Sequence, residues 1–304
     1  MDILIVGPGA IGGVLAARWA LARVPVLVLA RRRQTEELLE QPFVFIDRKN
    51  ARHTVSSGVS SARKTGGKSC QAVFLCVKSY DVRMALRGAR PWIGPRTTVV
   101  ALQNGVGHER DLLRACGRAR SVLASCFFAA DRLDERTFAN TWGNHIVLAR
   151  ESANRGCAEA ARSLLSKAGW QLSLKSSAHR LLWTKLCFNA SVNLLGSACM
   201  ATNGELAREP ALKEILLTVL AEAVATAKAS NHPPLYADMA SLVVRGCRNA
   251  PSQRNSMLQD LVAGRRTELA AIAGPLIEAS RRRKVPAPAL GALTRLVGAL
   301  ERLP

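Results

Sequence analysis

The stretch that most limits what this chain can fold into is its beginning, Met1-Asp-Ile-Leu-Ile-Val-Gly-Pro-Gly-Ala-Ile-Gly-Gly13. Ile3 to Val6 is a short apolar, β-branched run of the kind that forms a strand buried on both faces. Gly7, Gly9 and Gly12 follow at G-x-G-x-x-G spacing, and an alanine-rich segment of helical pattern, residues 10–22, takes over. Gly7 permits a tight turn. Gly9 lets the backbone approach a pyrophosphate, and Gly12 lets the helix pack closely on the strand. The helix N-terminus then faces the anion, with Pro8 contributing no N–H, so that the donors come from the residues after it. Glycines at this spacing are weak evidence alone, but here they stand between a strand and a helix, as the motif requires.

The next strand signal, residues 25–30 (Pro-Val-Leu-Val-Leu-Ala), falls at the distance expected of a βαβ unit. Its end is where a dinucleotide fold reads the adenosine ribose. An acidic residue there would favour NAD; Arg31, Arg32 and Arg33 stand there instead. Guanidinium groups bind a 2′-phosphate through charge-assisted, often bidentate bonds, so the cofactor is read as NADP(H), with Arg31 the contact residue. Further strand signals occur at 43–46, 51–59, 72–77, 97–102, 121–128, 144–148 and 171–174, with a helix at 157–167 and an exposed Ser/Lys/Gly-rich loop at 60–69. In an open parallel sheet the ligand crevice lies at the carboxyl ends of the strands, which brings Lys78 and Asn104 into consideration with Gly9 and Arg31.

After about residue 176 the strand signals stop and helices are read at 178–197, 210–230, 235–248, 255–263, 267–284 and 287–302. The expected fold class is therefore α/β: an N-terminal Rossmann-type doubly wound sheet, residues 1–175, followed by an all-α C-terminal domain, residues 176–304. A cleft between two such domains is the expected substrate site. Within the helix at 178–197 the sequence is apolar nearly all round, yet carries Lys185, Asn189 and Asn193 at i, i+4 and i+8. These fall in one narrow stripe of a helix that is expected to be buried. A buried amine and two amides cost several kcal/mol unless something polar meets them, and they suit a substrate carbonyl, carboxylate and hydroxyl. Ser256 and Glu268 are twelve residues apart, too far round a straight helix to share a face. Gly264 is read as the break that lets both reach the site.

Composition narrows the function classes. The chain has 304 residues, 43 Lys and Arg against 22 Asp and Glu, and a net charge of +21. The basic residues are spread along the whole chain without a nucleic-acid-binding motif, so the charge is read as attraction for anionic small molecules rather than for nucleic acid. No apolar run is long enough to span a membrane, and the apolar start is a strand rather than a signal peptide, so a cytoplasmic location is expected. The eight cysteines are scattered without C-x-x-C or Cys/His clusters and are read as small core residues in a reducing compartment, with no metal site.

Taken together, Gly7-Pro-Gly-Ala-Ile-Gly12, Asn104-Gly-Val-Gly107, Trp183-Thr-Lys185, Asn203-Gly-Glu-Leu206, Ser256-Met-Leu-Gln-Asp260 and Arg266-Thr-Glu268 resemble the ketopantoate reductase (2-dehydropantoate 2-reductase) family over most of the chain. The resemblance implies NADPH-dependent reduction of a small 2-oxo acid, in that family a step of pantothenate biosynthesis. By it Lys185 is the proton donor, and Asn104, Asn189, Asn193, Asn203 and Ser256 hold substrate. Glu268 lies where substrate meets the nicotinamide ribose, and so counts as both catalytic and cofactor-binding. The residues from Gly7 to Gly12, with Arg31, Lys78, Asn104 and the backbone of Ala130, contact the cofactor. Many members of the family dimerise, which allows a homodimer here. Two stretches depart from the family pattern: residues 48–69, which are unusually basic and polar, and Cys199-Met-Ala-Thr202 before Asn203. A reductase of another 2-oxo acid, and a non-catalytic NADP(H)-binding regulator, are the alternative readings.

Overall fold

The computed structural model describes residues 2–303. Cα packing divides the chain into two compact units. One runs up to Gln103 and resumes at His108–Ala178; the other takes Asn104–Gly107 together with the chain from His179 onward.

The first unit is a mixed sheet with helices. In chain order it contains β1 (Ile3–Val6), α1 (Ala10–Leu21), β2 (Val26–Leu29), α2 (Arg33–Glu40), β3 (Phe43–Ile46), β4 (Arg52–Val55), β5 (Val59–Ser61) and β6 (Ala72–Leu75). Then follow α3 (Val82–Ala89), β7 (Thr98–Ala101), α4 (Glu109–Cys116), β8 (Ser121–Arg132), β9 (Thr137–Ala149), α5 (Arg155–Lys167) and β10 (Gln171–Lys175). The strand order is β4-β3-β9-β8-β7-β6-β1-β2-β5, with β10 added beside β9. From β5 to β8 every pairing is parallel, and β1 runs between β2 and β6. Chain order reverses at β1, which makes the carboxyl ends of β1, β2 and β6 the switch point where an open α/β sheet binds ligands. Every residue of β1, β2, β6 and β7 is buried, which is why these strands read as unbroken apolar runs.

Two local sequences fold differently from their pattern. The single strand read at 51–59 is two: β4 pairs antiparallel with β3, whereas β5 pairs parallel with β2 at the other edge, and Gly58 at φ +90° turns the chain between them. The stretch 60–69, read as an exposed loop, begins with the end of β5 and a 3-10 turn at Ala62–Thr65. Buried carboxylate chemistry holds it, as described below. The strands read at 121–128 and 144–148 are the cores of a much longer antiparallel pair, β8 and β9, with register shifts at Phe127/Phe128 and Ala129/Ala130.

The second unit is helical: α6 (Ala178–Ala198, its first residue still in the first unit), α7 (Asn203–Arg208), α8 (Pro210–Ala229), α9 (Met239–Asn249), α10 (Ser256–Val262), α11 (Leu269–Ile272), α12 (Gly274–Arg283) and α13 (Pro288–Leu300). Its core gathers around α6, with Leu186, Leu194, Leu216, Val219, Val243, Leu276 and Leu290 all at 0 % exposure. The helix read at 267–284 is broken at Ala273, one residue before the Gly274-Pro275 start of α12. Gly264, at φ +61°, ends α10 as expected of a left-handed C-terminal residue. No helix among the described residues is long and apolar enough to cross a membrane.

Candidate active site

The glycine turn has the geometry its sequence requires. Gly7 sits at φ +87°, and its N–H donates to the Leu29 carbonyl at 2.9 Å, tying the end of β1 to that of β2. A Cβ on Gly7 would meet Val77 Cγ1 at 2.5 Å, and one on Gly12 would meet the Gly7 carbonyl oxygen at 2.4 Å. A Cβ on Gly9, by contrast, would have nothing within 4 Å. Gly9 is the N-cap of α1, and no side chain caps that end. The N–H groups of Ala10, Ile11 and Gly12 therefore have no intrahelical acceptor, and the space beside Gly9 is open, an arrangement that fits a pyrophosphate. Gly13, which the motif does not include, is as constrained as any of the three: a Cβ there would overlap the Phe138 ring at 2.1 Å.

Arg31 directly follows the β2 end; it is exposed, and among the described residues it has no ion-pair or hydrogen-bond partner. Arg33 is engaged with Glu37 at 2.9 Å on the surface of α2, and Arg32 is the N-cap of that helix. Among the described residues the side chains of Arg31 and Arg32 are thus both left for an anion, and Arg31 is the one directly at the strand end. Lys78 follows β6 in extended backbone, half-buried. The buried Gln103 amide donates to the carbonyls of Leu75 (2.8 Å) and Val77 (3.0 Å), which fixes the strand end from which Lys78 departs. Ala130 lies on β8 at the second register shift, two strands further along the sheet from β6.

In the helical unit, Lys185, Asn189 and Asn193 occupy α6 as read. Asn189 and Asn193 are each 5 % exposed and Lys185 is half-buried, with its Nζ 5.4 Å from the Phe188 ring centroid. The stripe is met by polar groups. Asn189 Nδ2 donates to Asn104 Oδ1 at 3.2 Å, and Asn104 Nδ2 reaches Glu268 Oε2 at 3.5 Å. Glu268, 6 % exposed, is the N-cap of α11. Asn104 is held here because its loop packs into this unit: the Val106 N–H donates to the Ala271 carbonyl at 3.2 Å, and a Cβ on Gly105 would meet that same oxygen at 2.5 Å. Thr267 makes the helix-start hydrogen bond itself, Oγ1 accepting from the Leu269 N–H at 3.0 Å, which leaves Glu268 available to Asn104.

Asn203 and Ser256 flank the 251–255 segment. The Asn203 N–H donates to the Gln253 carbonyl at 2.9 Å, and its buried Oδ1 has no partner among the described residues. Ser256 is the exposed first residue of α10. The buried residue beside it, Asn255, escaped the sequence reading although an Asn before an apolar helix is an N-cap signal. Its Oδ1 accepts from the N–H groups of Met257 (3.1 Å) and Leu258 (3.0 Å). Its Nδ2 lies where a Cβ on Gly196 would stand, 2.6 Å away, so Gly196 of α6 is small for a packing reason.

Three of the cysteine thiols are unsuited to nucleophilic chemistry. Burial pushes Cys187 and Cys247 up to about 12 and Cys70 up to about 11, so none is a ready nucleophile.

Two family models match this chain: residues 3–150 match that described as Ketopantoate reductase PanE/ApbA, and residues 178–301 its C-terminal counterpart. Among curated relatives, the 2-dehydropantoate 2-reductase of Archaeoglobus fulgidus is 29 % identical over 279 residues, covering 91 % of this chain and 90 % of its own. That of Halobacterium salinarum is 23 % identical over 99 % of each. Among solved structures, a PanE/ApbA family ketopantoate reductase from Ralstonia eutropha superposes with a TM-score of 0.85 at 24 % identity, covering 99 % of this chain and 98 % of its own. A D-mandelate dehydrogenase solved with NADH and anilino(oxo)acetate does so at 0.88 and 19 % identity, with the same coverage. Both halves of the sequence are thus matched by models of one family, and this chain belongs to the ketopantoate reductase family.

Proposed function

We propose that the chain reduces ketopantoate to pantoate with NADPH, as a cytoplasmic step of pantothenate biosynthesis. Residues 1–175 would hold the cofactor and residues 176–304 the substrate. The observation that carries this reading is the hydrogen-bonded series Asn189, Asn104, Glu268 beside Lys185, in a chain matched by the family along both halves. NADPH, when bound, supplies a hydride to the ketone carbon. The residues of the chain supply the rest. The Lys185 ammonium gives its proton to the carbonyl oxygen as negative charge develops there, and its positive charge stabilises that oxygen beforehand. The Asn189, Asn193 and Asn203 amides, with Ser256 and Asn104, would hold the carboxylate and hydroxyl so that one face of the ketone is presented. Glu268, which accepts from the Asn104 amide, would also accept from the nicotinamide ribose. Gly7 to Gly12, Arg31, Lys78 and the Ala130 backbone would bind the cofactor phosphates and nicotinamide end.

The test is steady-state oxidation of NADPH with ketopantoate and with a panel of other 2-oxo acids, including aryl-substituted ones. Turnover of ketopantoate at the highest kcat/KM supports the reading. A higher value for an aromatic 2-oxo acid would favour the second reading, a reductase of a different 2-oxo acid, which the likeness to D-mandelate dehydrogenase supports. Absence of turnover with every acid removes both.

A further inference from the structure

Resting on the NADPH reading above, we propose that Arg63, from the basic stretch 48–69, is a specificity-determining cation for the cofactor 2′-phosphate. The ribose is read at the β2 carboxyl end in this fold. The backbone there is held on both sides. The Ala30 N–H donates to Glu36 Oε1 at 2.8 Å, and Arg63 Nη2 donates to the Ala30 carbonyl at 3.0 Å. The Arg63 guanidinium therefore lies against the residue that launches Arg31.

Glu36 explains why it stays there. Its side chain is 0 % exposed, and it accepts from Ala30, from the Ser61 hydroxyl and from Arg63 Nε at 3.1 Å. A carboxylate close to the β2 end would repel a 2′-phosphate. Here the acid is turned inward and its charge is offset by the guanidinium it orients. A guanidinium has five N–H donors, and Arg63 commits two of them, Nε and one on Nη2, to these bonds. The other three have no partner among the described residues, and the side chain is 46 % exposed. The group is thus fixed in place, charged and still able to donate. The neighbouring Lys64 is not available in the same way, being paired with Glu40 at 2.7 Å.

The test compares dissociation constants for NADPH and NADH in the wild type and in the double variant Arg63→Gln/Glu36→Gln, which removes both charges and leaves no buried acid unpaired. Loss of a charge-assisted hydrogen bond to phosphate should weaken NADPH by about ten-fold or more, with NADH changed by less than about two-fold. A second variant, Arg63→Lys, keeps Glu36 paired and should hold NADPH within about three-fold of the wild type, because an ammonium still serves a phosphate as a point charge. A purely structural Arg63 would move both cofactors alike, and that result overturns the assignment, as does an unchanged NADPH constant in the double variant. A wild type that binds NADH as tightly as NADPH defeats the cofactor reading itself, and this proposal with it.

Discussion

Asn189 and Asn104, 85 positions apart in sequence, are joined by a 3.2 Å hydrogen bond in which the α6 amide donates to the loop amide. Both belong to the helical unit, although Asn104 follows a strand of the other. Asn104→Ala would remove the acceptor of Asn189 and the donor to Glu268 in one step, leaving two buried polar groups without that partner. The expected outcome is a loss of about 1–3 kcal/mol in stability, from urea unfolding, together with a fall in kcat/KM of at least about ten-fold.

Lys185→Ala should lower kcat for the best 2-oxo acid by about 10²–10⁴-fold, the usual size for a lost acid–base group. Cofactor affinity should stay near the wild-type value. Stopped-flow hydride transfer measures the first and fluorescence titration the second. An unaltered kcat would take Lys185 out of the reaction.

Gly9 and Gly13 should respond oppositely to alanine. Gly9→Ala places a methyl in open space at an extended backbone position, so stability should change by less than about 1 kcal/mol while cofactor binding weakens, since that space is where a pyrophosphate would lie. Gly13→Ala drives a methyl into the Phe138 ring and should cost about 1–3 kcal/mol by overpacking. Thermal melting with and without NADPH separates the two.

Stability should fall as the solution is acidified through the histidine range. His108, His145 and His232 all have pKa values lowered from the ordinary 6.5, each chiefly by burial, and neither ring nitrogen of His108 has a partner among the described residues. Between the depressed folded pKa and the unfolded one, the unfolded chain binds more protons. The contribution is therefore complete above about pH 6.5 and is lost as pH drops below it. Tm at pH 5.5 should be lower than at pH 7.5, and His108→Gln should reduce that difference.

Much of this was legible because strong local signals agreed with tertiary needs. The four buried strands are apolar but for Thr98 of β7, and the α6 stripe stood out because polar residues were misplaced in a greasy helix. What escaped depended on distant partners. The 60–69 stretch is polar enough to read as loop, and partners distant in sequence hold it down: Glu36 and Glu40, more than twenty positions earlier, and Trp92, whose indole N–H donates to Thr65 Oγ1. The six residues of α7 are too few to show a period, and it is fixed by the Thr202/Glu205 capping box and by backbone bonds to the 251–253 segment. Gly13 carries no mark in the sequence of the Phe138 ring that dictates it.

The placement of Asn104–Gly107 has a consequence for how the protein can be dissected. A polypeptide expressed from His179 onward would lack a piece of its own interior: the Ala271 carbonyl would lose the Val106 amide, and Asn189 its acceptor. The helical half is thus completed by four residues synthesised some seventy positions earlier, so genetic separation at the obvious boundary should yield a less stable fragment than a graft carrying that tetrapeptide.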